Sequence, residues 1–106
     1  MRALEPDLAR LAALPVRGVI VTARGSGQPF DFVSRFFAPA AGVPEDPVTG
    51  SAHCALGPFW AERLGKTELI GYQASRRGGM VRVRVMGSRV LLSGRAVTTL
   101  RGELSV

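Results

Sequence analysis

The spacing of hydrophobic and polar positions changes character along the chain. Leu4, Leu8, Leu11 and Ala12 recur at helical intervals, and Pro6 and Asp7 suit a first turn, so a short helix is predicted from Glu5 to Leu14 and ended by Pro15. Val16–Ala23 is β-branched and apolar, the pattern of a mostly buried strand. A turn follows at Gly25-Ser26-Gly27-Gln28-Pro29. Phe30–Phe37 then alternates, with Phe30, Phe32, Ser34 and Phe36 on one face and Asp31, Val33, Arg35 and Phe37 on the other. The two segments are expected to form an antiparallel pair.

Ala38–Gly50 breaks the pattern. It contains Pro39, Gly42, Pro44, Pro47 and Gly50, shows no periodicity of its own, and carries Glu45-Asp46 near its middle. Connections of this length are uncommon in a compact domain and are often functional. The next segment, Ser51 to about Leu64, is predicted helical. Ala52, Ala55, Leu56, Phe59 and Trp60 form one apolar face, widened by Cys54 and Leu64. A helix this apolar is expected between layers, with a kink near Gly57-Pro58, because Pro58 cannot donate to the Cys54 carbonyl.

The remainder carries strand signal at Glu68–Ser75, Met80–Val85, Arg89–Ser93 and Arg95–Arg101, separated by glycine-containing turns. Val81, Val83 and Val85 alternate with Arg82 and Arg84, as in a sheet with one buried and one wet face. Gly87-Ser88 fits a tight hairpin. The fold class read from these patterns is α+β: one domain over residues 1–106, a mostly antiparallel sheet curled around one central kinked helix.

Composition narrows the picture. A length of 106 residues supports one modest core, and 46% apolar residues with both charge signs argue against disorder. No run reaches the roughly 18 apolar residues of a membrane span, and the Met1–Glu5 start is not that of a secretory signal. A single cysteine, Cys54, excludes an intrachain disulfide, and a cytoplasmic location is expected. The net charge of +6 is scattered through the strands. Its densest pair, Arg76-Arg77, lacks the interleaved aromatic residues of a single-strand stacking surface, so neither nucleic acid nor membrane is expected as a partner.

The candidate chemistry lies in Glu45–Cys54. The first N–H groups of a helix have no intrahelical partner and carry partial positive charge, so the end near Ser51 can hold a small anion such as a carboxylate. Thr49 or Ser51 can cap that end, Gly50 allows close approach, and Asp46 sits beside it on a loop stiffened by Pro44 and Pro47. The same residues also suit plain capping, with Asp46 a solvated turn residue. His53 has no second ligand at metal spacing, and no metal is expected. Adjacent helical side chains diverge by roughly 100°, so His53 and Cys54 do not form a nucleophilic pair. Cys54 reads as a small buried packing residue.

The run Asp46-Pro47-Val48-Thr49-Gly50-Ser51-Ala52-His53-Cys54-Ala55-Leu56 closely resembles the signature of the phenazine-biosynthesis-like (PhzF-like) family. Asp31–Pro39, Trp60–Lys66 and Gln73–Gly79 resemble its flanking sequences, in the same order. The resemblance implies the diaminopimelate-epimerase fold, two similar lobes that each wrap a sheet around a helix, with the ligand between them. It implies proton movement without a cofactor. It assigns Asp46 as the catalytic carboxylate that orients the substrate and assists the proton shift, and Thr49, Gly50, Ser51, Ala52 and His53 as substrate-binding. Gly50, Ser51 and Ala52 would offer backbone N–H groups. Arg77, Gly78 and Gly79 are expected at the cleft rim. The family's main acid/base is a glutamate of the amino-terminal lobe, to which nothing in this sequence corresponds. The chain is therefore expected to be the carboxyl-terminal lobe, weak alone, and to form a homodimer or pair with a separately encoded amino-terminal lobe. The alternative is a non-catalytic remnant or interaction module retaining the fold.

Overall fold

A computed structural model describes residues 1–105. Two helices, α1 (Leu8–Ala12) and α2 (Gly50–Leu64), accompany six strands: β1 (Val19–Arg24), β2 (Phe32–Ala38), β3 (Val43–Asp46), β4 (Glu68–Gln73), β5 (Gly79–Met86) and β6 (Arg89–Ser93). The sheet order is β1-β2-β4-β5-β6, with β3 also paired to β2. All pairings are antiparallel except β2–β4, which is parallel, because α2 intervenes and returns the chain in the same direction. The sheet is thus mixed but mostly antiparallel.

The buried residues follow the alternation in the sequence except at the end of β2, where Phe36, Phe37 and Ala38 are all buried. Phe32, Ser34 and Phe36 of β2 point toward α2, as do Val81 and Val83 of β5, while Arg82 and Arg84 are exposed. Trp60 of α2 stacks on Phe32, with ring centroids 6.2 Å apart and planes at 7°. Its indole N–H donates to Thr22 Oγ1 at 2.9 Å, so α2 reaches the edge strand β1. At the other side Gly57 sits against Val83, Val85 and Val90. A β-carbon there would lie 2.7 Å from Val83 Cγ1. Gly57→Ala is expected to cost about 1–3 kcal/mol through overpacking, read as a lower chemical-denaturation midpoint. An unchanged midpoint would show that α2 does not press on β5.

Several expectations are corrected. Helix α1 spans only Leu8–Ala12, with Asp7 as its N-cap accepting from Arg10 N–H at 3.1 Å. It lies against the Pro39–Ala41 segment and β2 but buries no residue completely, with Leu11 half-buried. The irregular Ala38–Gly50 segment contains a 3-10 turn, Pro39–Ala41, and the strand β3. Cys54, Ala55 and Phe59 are exposed, because the buried stripe of α2 runs through Ala52, His53, Leu56, Gly57 and Trp60. Pro58 lies inside α2, as expected, on its exposed side. Arg95–Arg101 is not a strand, since no neighbouring strand supplies hydrogen bonds, and Val97 and Leu100 are 85% and 88% exposed. The Gly87-Ser88 hairpin forms as expected, with Met86 opposite Arg89 and Gly87 at φ 57°.

Candidate functional site

The strand β3 delivers Asp46 to the start of α2, and Pro47-Val48-Thr49 makes the connection. Thr49 is the N-cap residue by position, yet its side chain does not cap the helix. Its hydroxyl instead donates a short hydrogen bond to Asp46 Oδ2. Ser51 does not cap either. Its hydroxyl accepts from Arg17 Nη2 at 2.8 Å. Among the described residues the N–H groups of Gly50, Ser51 and Ala52 have no hydrogen-bond acceptor. Gly50 and Ser51 lie at the surface, whereas Thr49 and Ala52 are buried. The end of α2 is therefore an open, positively polarised edge, with the Asp46 carboxylate within one turn and the Arg17 guanidinium on Ser51.

Gln73 holds this arrangement together. Fully buried on β4, it accepts from Thr49 N–H at 2.8 Å through Oε1. Its Nε2 donates to the Asp46 carbonyl at 2.8 Å and to Thr49 Oγ1 at 3.1 Å. Ser75 adds a second tie by donating to the Pro47 carbonyl at 2.7 Å. Sequence reasoning missed Gln73 and Arg17 as site residues. For Gln73 the signal was a polar residue in phase with Leu69 and Gly71 on the buried face of β4. Arg17 left no local signal, because its contact spans 34 positions.

His53 is fully buried, and its side chain turns inward, away from the open edge. Its Nδ1 lies 2.7 Å from the Thr49 carbonyl, a contact that requires the proton on Nδ1. Nε2 has no partner and packs beside Gly71 and Phe32. Burial pushes the imidazole below its ordinary value, and the Thr49 carbonyl, which favours the charged form, offsets part of that. A base with a depressed folded-state pKa stabilises the fold fully above its unfolded value, about 6.5, and loses that contribution as pH falls through the folded value. Stability should therefore fall as pH drops below about 6.5, by at most about 1.4 kcal/mol per pH unit, read as a lower melting temperature, and fall less in His53→Gln. Asp31 is affected by burial, which raises its pKa, but Lys66 and the Ile70 N–H hold it below the usual value, so it enters only at lower pH. Equal pH dependence in both proteins would contradict the assignment to His53.

Arg77 and Gly78 lie in the β4–β5 turn and Gly79 opens β5; Arg77 lies beside Pro47, and Gly79 packs against Val48 of the Asp46–Ser51 connection. Cys54 is a free, exposed thiol next to His53 in sequence. No group of three or more His, Cys, Asp or Glu side chains among the described residues is placed to hold a metal ion. None of the helices is long and apolar enough to cross a membrane.

The sequence profile described as Phenazine biosynthesis-like protein matches residues 1–102. The chain belongs to this family. It is 59% identical over 104 residues to an uncharacterized isomerase of Pseudomonas aeruginosa, covering 98% of this chain and 39% of that protein. An uncharacterized isomerase of Halalkalibacterium halodurans is 52% identical over 104 residues, with the same coverage of 98% and 39%. The crystal structure of a PhzF family protein of Enterococcus faecalis superposes with a TM-score of 0.88 at 44% identity, over 99% of this chain and 40% of that one. The family is thus one of isomerases, and the fold is the PhzF fold. The chain spans about two fifths of the length of the relatives it matches.

Proposed function

We propose that this chain supplies one half of the active site of a cofactor-independent isomerase that shifts a proton on a small carboxylate-bearing substrate. The observation that carries this reading is the surface amides of Gly50 and Ser51, with the unpaired N–H of buried Ala52 behind them, beside Asp46. The substrate carboxylate accepts hydrogen bonds from these amides, and the positive charge of Arg17 reinforces the site. Asp46, fixed by the Thr49 hydroxyl, accepts from a polar group of the substrate and assists the proton shift. In that shift a proton leaves one carbon and returns to another while the double bond moves, so no external oxidant or reductant is consumed.

General acid–base catalysis needs a second group within hydrogen-bond reach of the moving proton. In this reading that group comes from an amino-terminal lobe, and the chain works as a homodimer or with a separately encoded lobe, in the cytoplasm. Exposed apolar side chains support an association, with Phe59 40%, Leu91 47%, Val97 85% and Leu104 97% exposed.

The test is direct. Purified chain with a dihydro-hydroxyanthranilate-type substrate should show no solvent-deuterium uptake above background, and turnover at rates typical of enzymes would overturn the half-site reading. Sedimentation should show an assembly, and a well-behaved monomer at high concentration would remove the association. A second reading is a module that binds carboxylates without turnover, for which the unpaired Gly50–Ala52 amides suffice without an acid/base partner. That reading gains if no amino-terminal lobe restores activity while carboxylate binding persists.

A further inference from the structure

A cavity of about 650 Å³ beside β3 is lined by Pro44, Glu45, Pro47, Ser75, Arg76 and Arg77, and by neither Asp46 nor Thr49–Ala52. Neighbouring side chains on a strand point to opposite faces. Asp46 therefore turns to Thr49, while Glu45 turns to Arg35 and to this cavity. The volume falls within the range of about 300–1,000 Å³ usual for small-molecule sites.

The charge balance of the cavity is uneven. Its lining carboxylate, Glu45, is already neutralised by a two-pronged pair with Arg35 at 2.7 and 3.0 Å. The ion pairs among the described residues are Arg35–Glu45, Lys66–Asp31 and Arg84–Glu68, so no carboxylate compensates Arg76 or Arg77. Both arginines are exposed at their backbone turn yet line the cavity. The turn itself is fixed. Gly78 N–H donates to Ser75 Oγ at 2.9 Å, Ser75 Oγ donates to the Pro47 carbonyl at 2.7 Å, and Arg2 Nη1 donates to the Ser75 carbonyl at 3.0 Å. Gly78 adopts φ 75°, which side chains rarely take. Two consecutive arginines on a braced turn line this cavity together with Pro44 and Pro47, so oxyanion donors and an apolar wall share one lining.

We infer that this cavity is a second anion site, separate from the Gly50–Ala52 edge, which binds a small organic dianion through Arg76 and Arg77 with its carbon skeleton against Pro44 and Pro47. The dianion is a phosphate monoester or a dicarboxylate, since both present oxygens to a pair of guanidinium groups. The inference does not depend on the isomerase reading, which uses Asp46 and the Gly50–Ala52 amides, none of which lines this cavity.

Titrating isotope-labelled chain with inorganic phosphate, and separately with malonate, at constant ionic strength tests it. Saturable shifts are expected at the Arg76 and Arg77 side-chain N–H groups and the Ser75–Gly79 amides. Arg76→Gln with Arg77→Gln should weaken the response at least about ten-fold, the loss of one charge-assisted hydrogen bond or more. Both positions are exposed, so an unchanged melting temperature should accompany the loss. A response to phosphate alone assigns a phosphoryl group, and one to malonate alone assigns a dicarboxylate. Non-saturating shifts matched by sodium chloride, shifts confined to Gly50–Ala52, or undiminished binding in the double variant would each overturn the inference.

Discussion

Gln73→Leu should unfold this protein at markedly lower denaturant while changing no residue of the open helix edge. Gln73 is fully buried and spends its amide on three acceptors and donors of one turn: Thr49 N–H, the Asp46 carbonyl and Thr49 Oγ1. Leucine fills similar volume but leaves the Thr49 N–H and the Asp46 carbonyl without partners. A buried polar group orphaned in this way costs about 1–3 kcal/mol, so two of them should cost about 2–6 kcal/mol of stability. Gln73→Glu separates packing from hydrogen bonding, because a carboxylate can still accept from Thr49 N–H but has no N–H for the Asp46 carbonyl. It should also weaken carboxylate binding, by placing negative charge under the edge. A Gln73→Leu protein as stable as the parent would mean that the Asp46–Thr49 turn stands without β4.

Trp60→Ala is expected to cost about 3–5 kcal/mol, the usual range for removing a large buried aromatic side chain. Trp60 fills the layer between α2 and β2 by stacking on Phe32, meets Phe59 edge-on at 5.3 Å, and ties α2 to β1 through Thr22. Trp60→Phe keeps most of the packing and loses the Thr22 bond, so about 1 kcal/mol should separate it from the parent. Equilibrium urea unfolding of the three proteins gives the ordering parent, Phe, Ala. If the Phe variant falls as far as the Ala variant, the Thr22 tie outweighs the stack, and the account of the core is wrong.

How far the sequence revealed this structure depended on how local each cause was. The Val81–Val85 alternation, the Gly87-Ser88 turn and the start of α2 after Thr49 were legible because each is set by residues a few positions apart. The strand β3 was hidden by Pro44 and by its length of four residues, too short to show a period. In α2 apolar residues occur on both sides, so spacing alone could not choose between the Ala52–Leu56–Trp60 stripe and the side bearing Cys54, Ala55 and Phe59. The sheet made that choice. Arg95–Arg101 has strand composition but no partner strand, and a strand is a property of two segments.

The candidate site divides the same way. Asp46, Thr49, Gly50, Ser51 and Ala52 stood out because the turn and the helix start are contiguous in sequence. The bonds that shape them are not. Arg17 reaches Ser51 across 34 positions and Gln73 reaches Thr49 across 24, distances at which no pattern in a single sequence speaks. Thr49 or Ser51 was expected as the cap, yet their hydroxyls are bound to Asp46 and Arg17, which leaves the Gly50–Ala52 amides without acceptors.

Those amides decide the matter most directly. Titration of isotope-labelled chain with anthranilate, followed at the backbone amides, should move Gly50, Ser51 and Ala52 together along one saturable curve, with Asp46→Asn altering the affinity and Arg17→Gln lowering it. Amides that stay fixed at saturating anthranilate, or a response that leaves Gly50–Ala52 untouched, would contradict the carboxylate receptacle and leave α2 a purely structural helix.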